Sequence, residues 1–169
     1  SPSVQMRITP LGDLETISTH DQILGGPSGQ IFQACTFPAD AAYACEIQGL
    51  AATLGAVLQS KGVLGRFGVD FVSVPQDGGW RHRAIEINLR KGGTTHTFQM
   101  LQFLTQGHYD ARRAQFMTPT GETRSYYATD NVVNPAYRRL TPQDLFEIAG
   151  QRGLRWDAAS QTGVTFGLV

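Results

Sequence analysis

The sequence predicts an α+β domain with a mostly antiparallel sheet and flanking helices. Two pairs of short runs that alternate apolar and polar residues are each joined by a turn-forming segment, as expected for β-hairpins. Between the pairs, apolar residues recur at every third or fourth position from residue 40 to residue 61, which indicates one long helix. The 169 residues suit one such domain.

The first part of the chain is predicted to be β-structure. The runs SVQMRI and LETIST flank TPLGD and predict a hairpin, which a Gly-rich loop, HDQILGGPSGQ, connects to the strand IFQACTF. The helix that follows should pack through one apolar face, which consists of Tyr43, Ile47, Leu50, Leu54, Val57 and Leu58.

The second part begins with another hairpin. The strands GRFGVDFVSV and RHRAIEINLR are separated by PQDGGW, whose Asp-Gly-Gly is a strong turn signal. GGTTHTFQMLQFL predicts a helix with Thr94 or Thr95 as its N-cap. Residues 105–140 have no clean period and are predicted to be a partly irregular excursion rich in arginine. TPQDLFEIAGQRGL predicts a capped helix, and GVTFGLV predicts a closing strand.

Composition restricts the classes of partner. Lys plus Arg and Asp plus Glu each total 14, so the basic surface of a nucleic-acid binder is not expected. The longest apolar run, GLAATLGAVL, is too short to span a bilayer. Cys35 and Cys45 lack metal-ligand spacing and are expected to be buried free thiols in a reducing cytoplasm. The low charged fraction, 17%, indicates a surface covered by a partner and leaves a homo-oligomer open.

The second hairpin carries the candidate site. With its turn centred on Gly78, three facing pairs are predicted: Asp70 with Glu86, Gly68 with Asn88, and Arg66 with Arg90. Side chains alternate along a strand, so all six residues should share one face. The opposite face is predicted to be buried and gathers Phe67, Val69, Phe71, Ile85, Ile87 and Leu89.

Opposed like charges suggest a ligand. Two carboxylates with Cβ atoms about 5 Å apart, and two opposed arginines, are unfavourable pairings. A divalent cation between Asp70 and Glu86, with the amide oxygen of Asn88 as third ligand, would relieve the first, and oxygen donors favour Mg²⁺ over zinc. A polyphosphate held by Arg66 and Arg90 would relieve the second. The alternative is diagonal salt bridging of the same acids and arginines on a solvated face.

These motifs resemble a known family. GVDFV, a hairpin turn and IEINLRKGGTTH are similar to the ATP-grasp enzymes, whose last metal-binding strands carry an acidic residue and then Glu-x-Asn-x-Arg. STHDQILGGPSGQ, GRFGVDF and EINLRKGGTTH resemble, more narrowly, the pheganomycin-type peptide ligases. Such enzymes use ATP to convert a carboxylate to an acyl phosphate, which an amine or another nucleophile captures.

The resemblance implies roles for individual residues. Asp70, Glu86 and Asn88 match ligands of Mg²⁺ or Mn²⁺, Arg90 matches an arginine that contacts phosphate, and Val72 matches an apolar residue that packs on adenine. D-alanine ligases have a catalytic arginine two residues before the first acid. This chain has glycine there, and the nearest candidate for that catalytic role is Arg66.

The segment after the second hairpin contains further candidates. Lys91 either reaches phosphate or is a solvated loop charge. A helix N-terminus attracts anions, so a substrate-binding segment is predicted at Gly92, Gly93, Thr94, Thr95 and His96. His96 is equally suited to be a capping or packing residue. His20 and Asp21 are candidates for a substrate wall or for a turn, whereas His82 and His108 are expected at the surface.

The function expected from this resemblance is that of the C-terminal, Mg-ATP-binding lobe of a carboxylate–amine ligase. Its substrates would be ATP and small carboxylates, amines or peptides. An N-terminal lobe that clamps the nucleotide is expected to belong to the same parent protein outside residues 1–169, so this chain alone should be inactive. The alternative is a non-catalytic, ATP-grasp-like module that binds nucleotide or metal, or that mediates an interaction.

Overall fold

The computed structural model describes residues 1–167 and has an α+β architecture. Its strands are β1 Pro2–Ile8, β2 Leu14–Gly25, β3 Ile31–Phe37, β4 Gly65–Gln76, β5 Gly79–Asn88, β6 His108–Asp110, β7 Gln115–Met117, β8 Thr123–Arg124 and β9 Tyr126–Ala128. Its helices are α1 Ala44–Ser60, α2 Thr94–Thr105, a 3₁₀ helix at Pro135–Arg139 and α3 Pro142–Gln151.

The main sheet has six antiparallel strands in the order β5-β4-β1-β2-β3-β9, and β6, β7 and β8 form a small second sheet. The predicted mostly antiparallel α+β fold is therefore confirmed. The order places β1 between β2 and β4, so two hairpins that are distant in sequence become neighbours. Within residues 1–167, no helix combines the length and the apolar character that crossing a membrane requires.

The core lies between one face of the sheet and α1. The side chains buried there come from alternate positions of β1 and β4 and from α1: Val4, Met6, Ile8, Phe67, Val69, Phe71, Ala44, Ile47 and Ala51. A second, smaller cluster packs α2 and β7 against β3 through Phe37, Phe98, Leu101 and Phe116. Burial of such side chains is the main source of stability, at about 1.5–3 kcal/mol for each large one.

Three element predictions are wrong in detail. The predicted loop at residues 20–30 is confined to residues 26–30, because β2 continues through Gly25 between β1 and β3. Helix α2 is capped by Gly93 without a side-chain hydrogen bond, so neither Thr94 nor Thr95 is the N-cap. The closing strand is reduced to a bridge between Val164 and Arg155, and the last two residues of that prediction lie outside the described residues.

The predicted C-terminal capped helix is confirmed as α3. The Thr141 hydroxyl accepts from the backbone N–H of Asp144, whose carboxylate accepts from the backbone N–H of Thr141. This reciprocal pair satisfies two of the donors that a helix N-terminus leaves free. Cys35 is buried as predicted, whereas Cys45 is exposed, so the prediction of two buried thiols is half wrong.

The apolar face of β5 differs from the prediction. Phe67, Val69 and Phe71 on β4 are buried, but Ile85, Ile87 and Leu89 are 63%, 42% and 58% exposed. Strand β5 is the edge of the sheet, and α1 lies over β1 and β2 instead. The alternating pattern on β5 therefore predicted a strand correctly, but the predicted burial of its apolar side chains is wrong.

Candidate functional site

The β4–β5 hairpin has the predicted register at the candidate site. Asp70 faces Glu86 and Gly68 faces Asn88. Near the turn the register differs by one residue, since Gln76 pairs with Gly79 around Asp77 and Gly78. A bulge in β5, where Ile85 is inserted between the partners of Asp70 and Phe71, restores the predicted pairs.

A cavity of about 270 Å³ lies on this face of the sheet. Seven predicted site residues line it: Asp70, Glu86, Asn88, Arg90, Gly92, Gly93 and Thr94. They come from β4, the end of β5, the segment that follows it and the first turn of α2. Residues from successive parts of the sequence motif therefore line one cavity.

Amide donors hold Asp70 in place. Gln22 Nε2 donates to Asp70 Oδ1 at 3.0 Å, and Asn88 Nδ2 donates to Asp70 Oδ2 at 3.1 Å. Burial of the carboxyl, followed by the nearby charge of Glu86, raises the pKa of Asp70; the Gln22 hydrogen bond and the charge of Arg90 oppose this only in part. Two carboxylates therefore share a site without enough positive charge to balance them.

The donor set fits a hard divalent cation. The site offers two carboxylates and one amide, and carboxylate and amide oxygens are ligands that Mg²⁺ and Mn²⁺ accept. The Asn88 nitrogen faces Asp70, so its oxygen is not used in that contact. Among residues 1–167, no group of three or more His, Cys, Asp or Glu side chains is arranged to hold a metal. The candidate set depends on Asn88 as its third member.

Two further observations favour a ligand over salt bridges at this site. Neither Asp70 nor Glu86 is ion-paired to an arginine in the part of the chain that the structure describes. Thr94 lines the cavity, and its hydroxyl is buried and has no hydrogen-bond partner within residues 1–167. A buried hydroxyl without a partner is costly unless something else bonds to it.

The motif alone did not predict the other walls of the cavity. Strands β1, β2 and β3 contribute Ser3, Gln5, Gln22 and Phe32, whereas Gly68 of β4, which the predicted register had already placed on this face, also lines the cavity. A Cβ atom on Gly68 would lie 3.0 Å from Gln5 Nε2, so glycine leaves the room that this side chain occupies. The residues of β1 reach the cavity because β1 pairs with β4, and a local sequence pattern does not specify which strands pair.

Five other predicted site residues do not line this cavity: Val72, Lys91, Thr95, His96 and Arg66. Lys91 and His96 are exposed, Thr95 is buried within α2, and Val72 is exposed on β4 two residues beyond Asp70.

Arg90, which does line the cavity, follows the end of β5, and its guanidinium Nη1 donates to the backbone oxygen of Lys91 at 3.3 Å.

The predicted pairing of Arg66 with Arg90 is wrong. Strand β5 ends at Asn88, and Arg66 instead faces Arg7 of β1 in the antiparallel β1–β4 pair. Arg66 lines a second cavity further along the same face. A catalytic role for Arg66 therefore has no geometric support from the first cavity.

The histidines outside the motif have structural positions. His20 is fully buried, its Nε2 lies 2.8 Å from the Tyr126 hydroxyl, and burial lowers its pKa to about 3. Asp21 accepts from the Tyr43 hydroxyl at 2.7 Å and from the backbone N–H of Asp40 at 2.8 Å, which anchors the segment before α1. His82 was expected at the surface, but only 4% of its side chain is exposed.

Comparison with known proteins identifies the fold and the family. The family model described as IQCH-like, ATP-grasp matches residues 1–112. A crystal structure of an ATP-grasp superfamily protein from Archaeoglobus fulgidus aligns with a TM-score of 0.51 and 19% identity, over 76% of this chain and 38% of that one. At this identity the likeness shows the fold alone.

A curated relative is similar over nearly the whole chain. The L-propargylglycine–L-glutamate ligase of Streptantibioticus cattleyicolor is 32% identical over 166 residues, which cover 97% of this chain. The chain spans 33% of the length of that ligase. The match to the family model, together with the shared fold, shows that this chain belongs to the IQCH-like ATP-grasp family.

Proposed function

We propose that this chain is the Mg-ATP-binding C-terminal lobe of an ATP-grasp carboxylate–amine ligase. The observation that carries the proposal is the single cavity in which Asp70, Glu86, Asn88 and Arg90 meet the first turn of α2. The name of the curated relative supports ligation of two amino acids as the type of reaction. The remaining wall of the nucleotide site would come from another part of the parent protein.

In the proposed reaction, a carboxylate oxygen of the donor substrate attacks the γ-phosphorus of ATP, and the bond to the β-phosphate oxygen breaks to release ADP. The amine of the second substrate then attacks the acyl carbon, loses a proton and displaces phosphate. Both steps place negative charge on phosphoryl oxygens, so they need donors that are already in position.

Different residues of the cavity would have different roles in this reaction. Asp70, Glu86 and Asn88 would hold Mg²⁺ or Mn²⁺, which when bound supplies positive charge beside the phosphate oxygens. Arg90 would donate in a planar fork to the transferring phosphoryl group. The Thr94 hydroxyl and the N-terminal end of α2 would face an anionic oxygen of the substrate. Lys91 remains a proposed phosphate contact from the adjoining loop.

The test uses the full-length polypeptide that carries this chain. ATP, Mg²⁺ and panels of carboxylates and amines should give ADP only when a carboxylate is present. Oxygen in isotopically labelled ATP should scramble in the presence of the acid alone, because the acyl phosphate forms before the amine reacts. Tight binding of Mg-ATP without any acid-dependent ADP would overturn the ligase proposal in favour of a non-catalytic module.

A matched pair of variants tests the metal site. Glu86→Gln keeps the size of the side chain and removes one of the two facing charges, so calorimetry with ATP and Mn²⁺ should show a loss of metal-dependent nucleotide affinity. Glu147→Gln makes the same change on an exposed residue of α3 and should leave that affinity intact. Equal affinities in the two variants would remove Glu86 from the proposed metal site.

A further inference from the structure

A second cavity of about 270 Å³ lies on the same face of the sheet as the first. Arg7 of β1 and Arg66 of β4 line it, and Gln102 of α2 borders it. Because side chains alternate along strands, Arg7 shares its face with Gln5, and Arg66 shares its face with Gly68. Gln5 and Gly68 line the first cavity, so the two cavities are neighbours along β1 and β4.

The charges in the second cavity do not balance. Glu15, Arg7 and Arg66 lie in one row across β2, β1 and β4. Arg7 Nη2 lies 2.5 Å from Glu15 Oε2, and Arg7 Nε donates to the same oxygen at 2.8 Å. Arg66 directly faces Arg7, is half-buried and has no carboxylate partner within residues 1–167. Facing like charges are unfavourable, and a single glutamate does not offset two arginines.

We propose that the second cavity binds a carboxylate of the substrate that does not react, through Arg66 with Arg7 beside it. The planar fork of a guanidinium matches the two oxygens of a carboxylate. His108 and Gln102, which also line this cavity, offer further polar atoms. The carboxylate-binding site itself does not depend on the proposed ligase function. Only the identification of its ligand as a substrate rests on that function.

The spacing of the two cavities selects a class of substrate. Asp70 and Arg66 are four residues apart on one strand, which corresponds to about 13 Å between their Cα atoms. An arginine side chain spans part of this distance, so a molecule about 10 Å long can reach from one cavity to the other. An extended tripeptide has this length, at about 3.4 Å per residue. The substrate class is therefore a short peptide, or a similarly extended amino-acid derivative, with a free terminal carboxylate.

The experiment compares triglycine with triglycine amide, which differ only in the terminal carboxylate, by NMR titration of the ¹⁵N-labelled 169-residue chain. The acid should bind about 10- to 100-fold more tightly than the amide and should shift the side-chain N–H signal of Arg66. Arg66→Gln should abolish this preference. Arg113→Gln, which alters an arginine with 66% of its side chain exposed in the segment between β6 and β7, should preserve it.

A second variant, which should increase the preference, keeps the test informative if Arg66→Gln fails to fold. Glu15→Gln removes the acid that pairs with Arg7, so the preference for triglycine over its amide should increase several-fold. Equal binding of acid and amide to the native chain, including no binding of either, would overturn the proposal. Survival of the preference in Arg66→Gln would do so as well. Full competition by inorganic phosphate at the same concentration would replace the carboxylate assignment with a phosphate site.

The outcomes separate this proposal from the ligase proposal. Acid-dependent ADP formation by the full-length polypeptide tests the reaction, whereas the peptide titration needs no nucleotide and no turnover. If the chain prefers triglycine to its amide but the full-length polypeptide has no ligase activity, the carboxylate site is supported and the proposed reaction is refuted. If the full-length polypeptide is a ligase but the chain shows no such preference, the reaction is supported and the carboxylate site is refuted.

Discussion

The polar face of β4 has facing acidic side chains at one end and facing arginines at the other, and strand pairing brings both sets together. At one end Asp70 faces Glu86 on β5, and at the other Arg66 faces Arg7 on β1. In both places the strand register brings like charges together. The difference lies in the neighbours, because amides hold Asp70 on both oxygens whereas one half-buried glutamate pairs with one of the arginines.

Under the proposed function, this difference assigns different roles to the two ends of β4. A carboxylate that two amides fix in orientation is suited to chemistry, which requires groups to be in position before charge develops. Arg66 has no charged partner in the described part of the chain and is suited to recognition, since it can adjust to the ligand. The comparison predicts that substitutions at the acidic end reduce turnover and that substitutions at the basic end change substrate preference.

The largest effect is expected for Arg90→Lys in the full-length polypeptide. Lysine keeps the charge but lacks the planar two-pronged donor, so the chemical step should suffer more than ATP binding. Loss of one preorganised donor costs about 10²- to 10³-fold in kcat. Steady-state kinetics and isotope scrambling in ATP should both show the loss. If Arg90→Lys were as harmless as Arg113→Lys, Arg90 would be structural and the acidic end would not be the reactive one.

A smaller effect is expected for Gln22→Met, which removes the donor to Asp70 Oδ1 and nearly preserves the volume of the side chain. Groups that orient a metal ligand are worth about 10- to 100-fold in metal affinity. Calorimetry with Mn²⁺ and ATP measures this loss. The pKa of Asp70 should also rise further, because the Gln22 hydrogen bond lowers it. Gln99→Met, on the exposed side of α2, is the control, and a loss of equal size there would remove Gln22 from the site.

Local patterns were sufficient to predict one end of this face. The Asp-Gly turn and the alternation on both strands placed Asp70 opposite Glu86, and the motif that follows placed Arg90 and the start of α2 beside them. Even here the agreement depends on the bulge at Ile85, which compensates for a turn that is one residue shorter than predicted. Turn chemistry and alternation are local properties, so sequence patterns report them directly.

The other end could not be predicted because it depends on strand order. Arg66 faces Arg7 only since β1 lies between β2 and β4, and Gln22 reaches Asp70 from β2 for the same reason. The exposed Ile85 and Ile87 likewise follow from the place of β5 at the sheet edge. A hydrophobic pattern specifies which side chains share a face of a strand, but it does not specify which strand lies beside it.

The smallest expected effect is on stability and concerns the charge at the acidic end. Burial and Glu86 raise the pKa of Asp70, so the folded chain holds that proton more tightly than the unfolded chain does. The resulting stability is fully present below the ordinary pKa of an aspartate, about 4, and is lost as the pH rises through the raised pKa. In the absence of divalent cations, the Tm of the native chain should therefore fall more over this pH range than the Tm of Asp70→Asn.

Two comparisons make the result specific to Asp70. Asp144 caps α3, and its hydrogen bonds with Thr141 lower its pKa, so its contribution to stability is lost as the pH falls. Asp144→Asn should therefore retain the decline of Tm at rising pH that Asp70→Asn lacks. At pH 7, Mg²⁺ with ATP should raise the Tm of the native chain more than that of Asp70→Asn, because a ligand that binds only the folded state stabilises it. Parallel Tm curves for the native chain and Asp70→Asn would mean that the acidic end carries no unbalanced charge, and the contrast between the two ends of β4 would then rest on Arg66 and Arg7 alone.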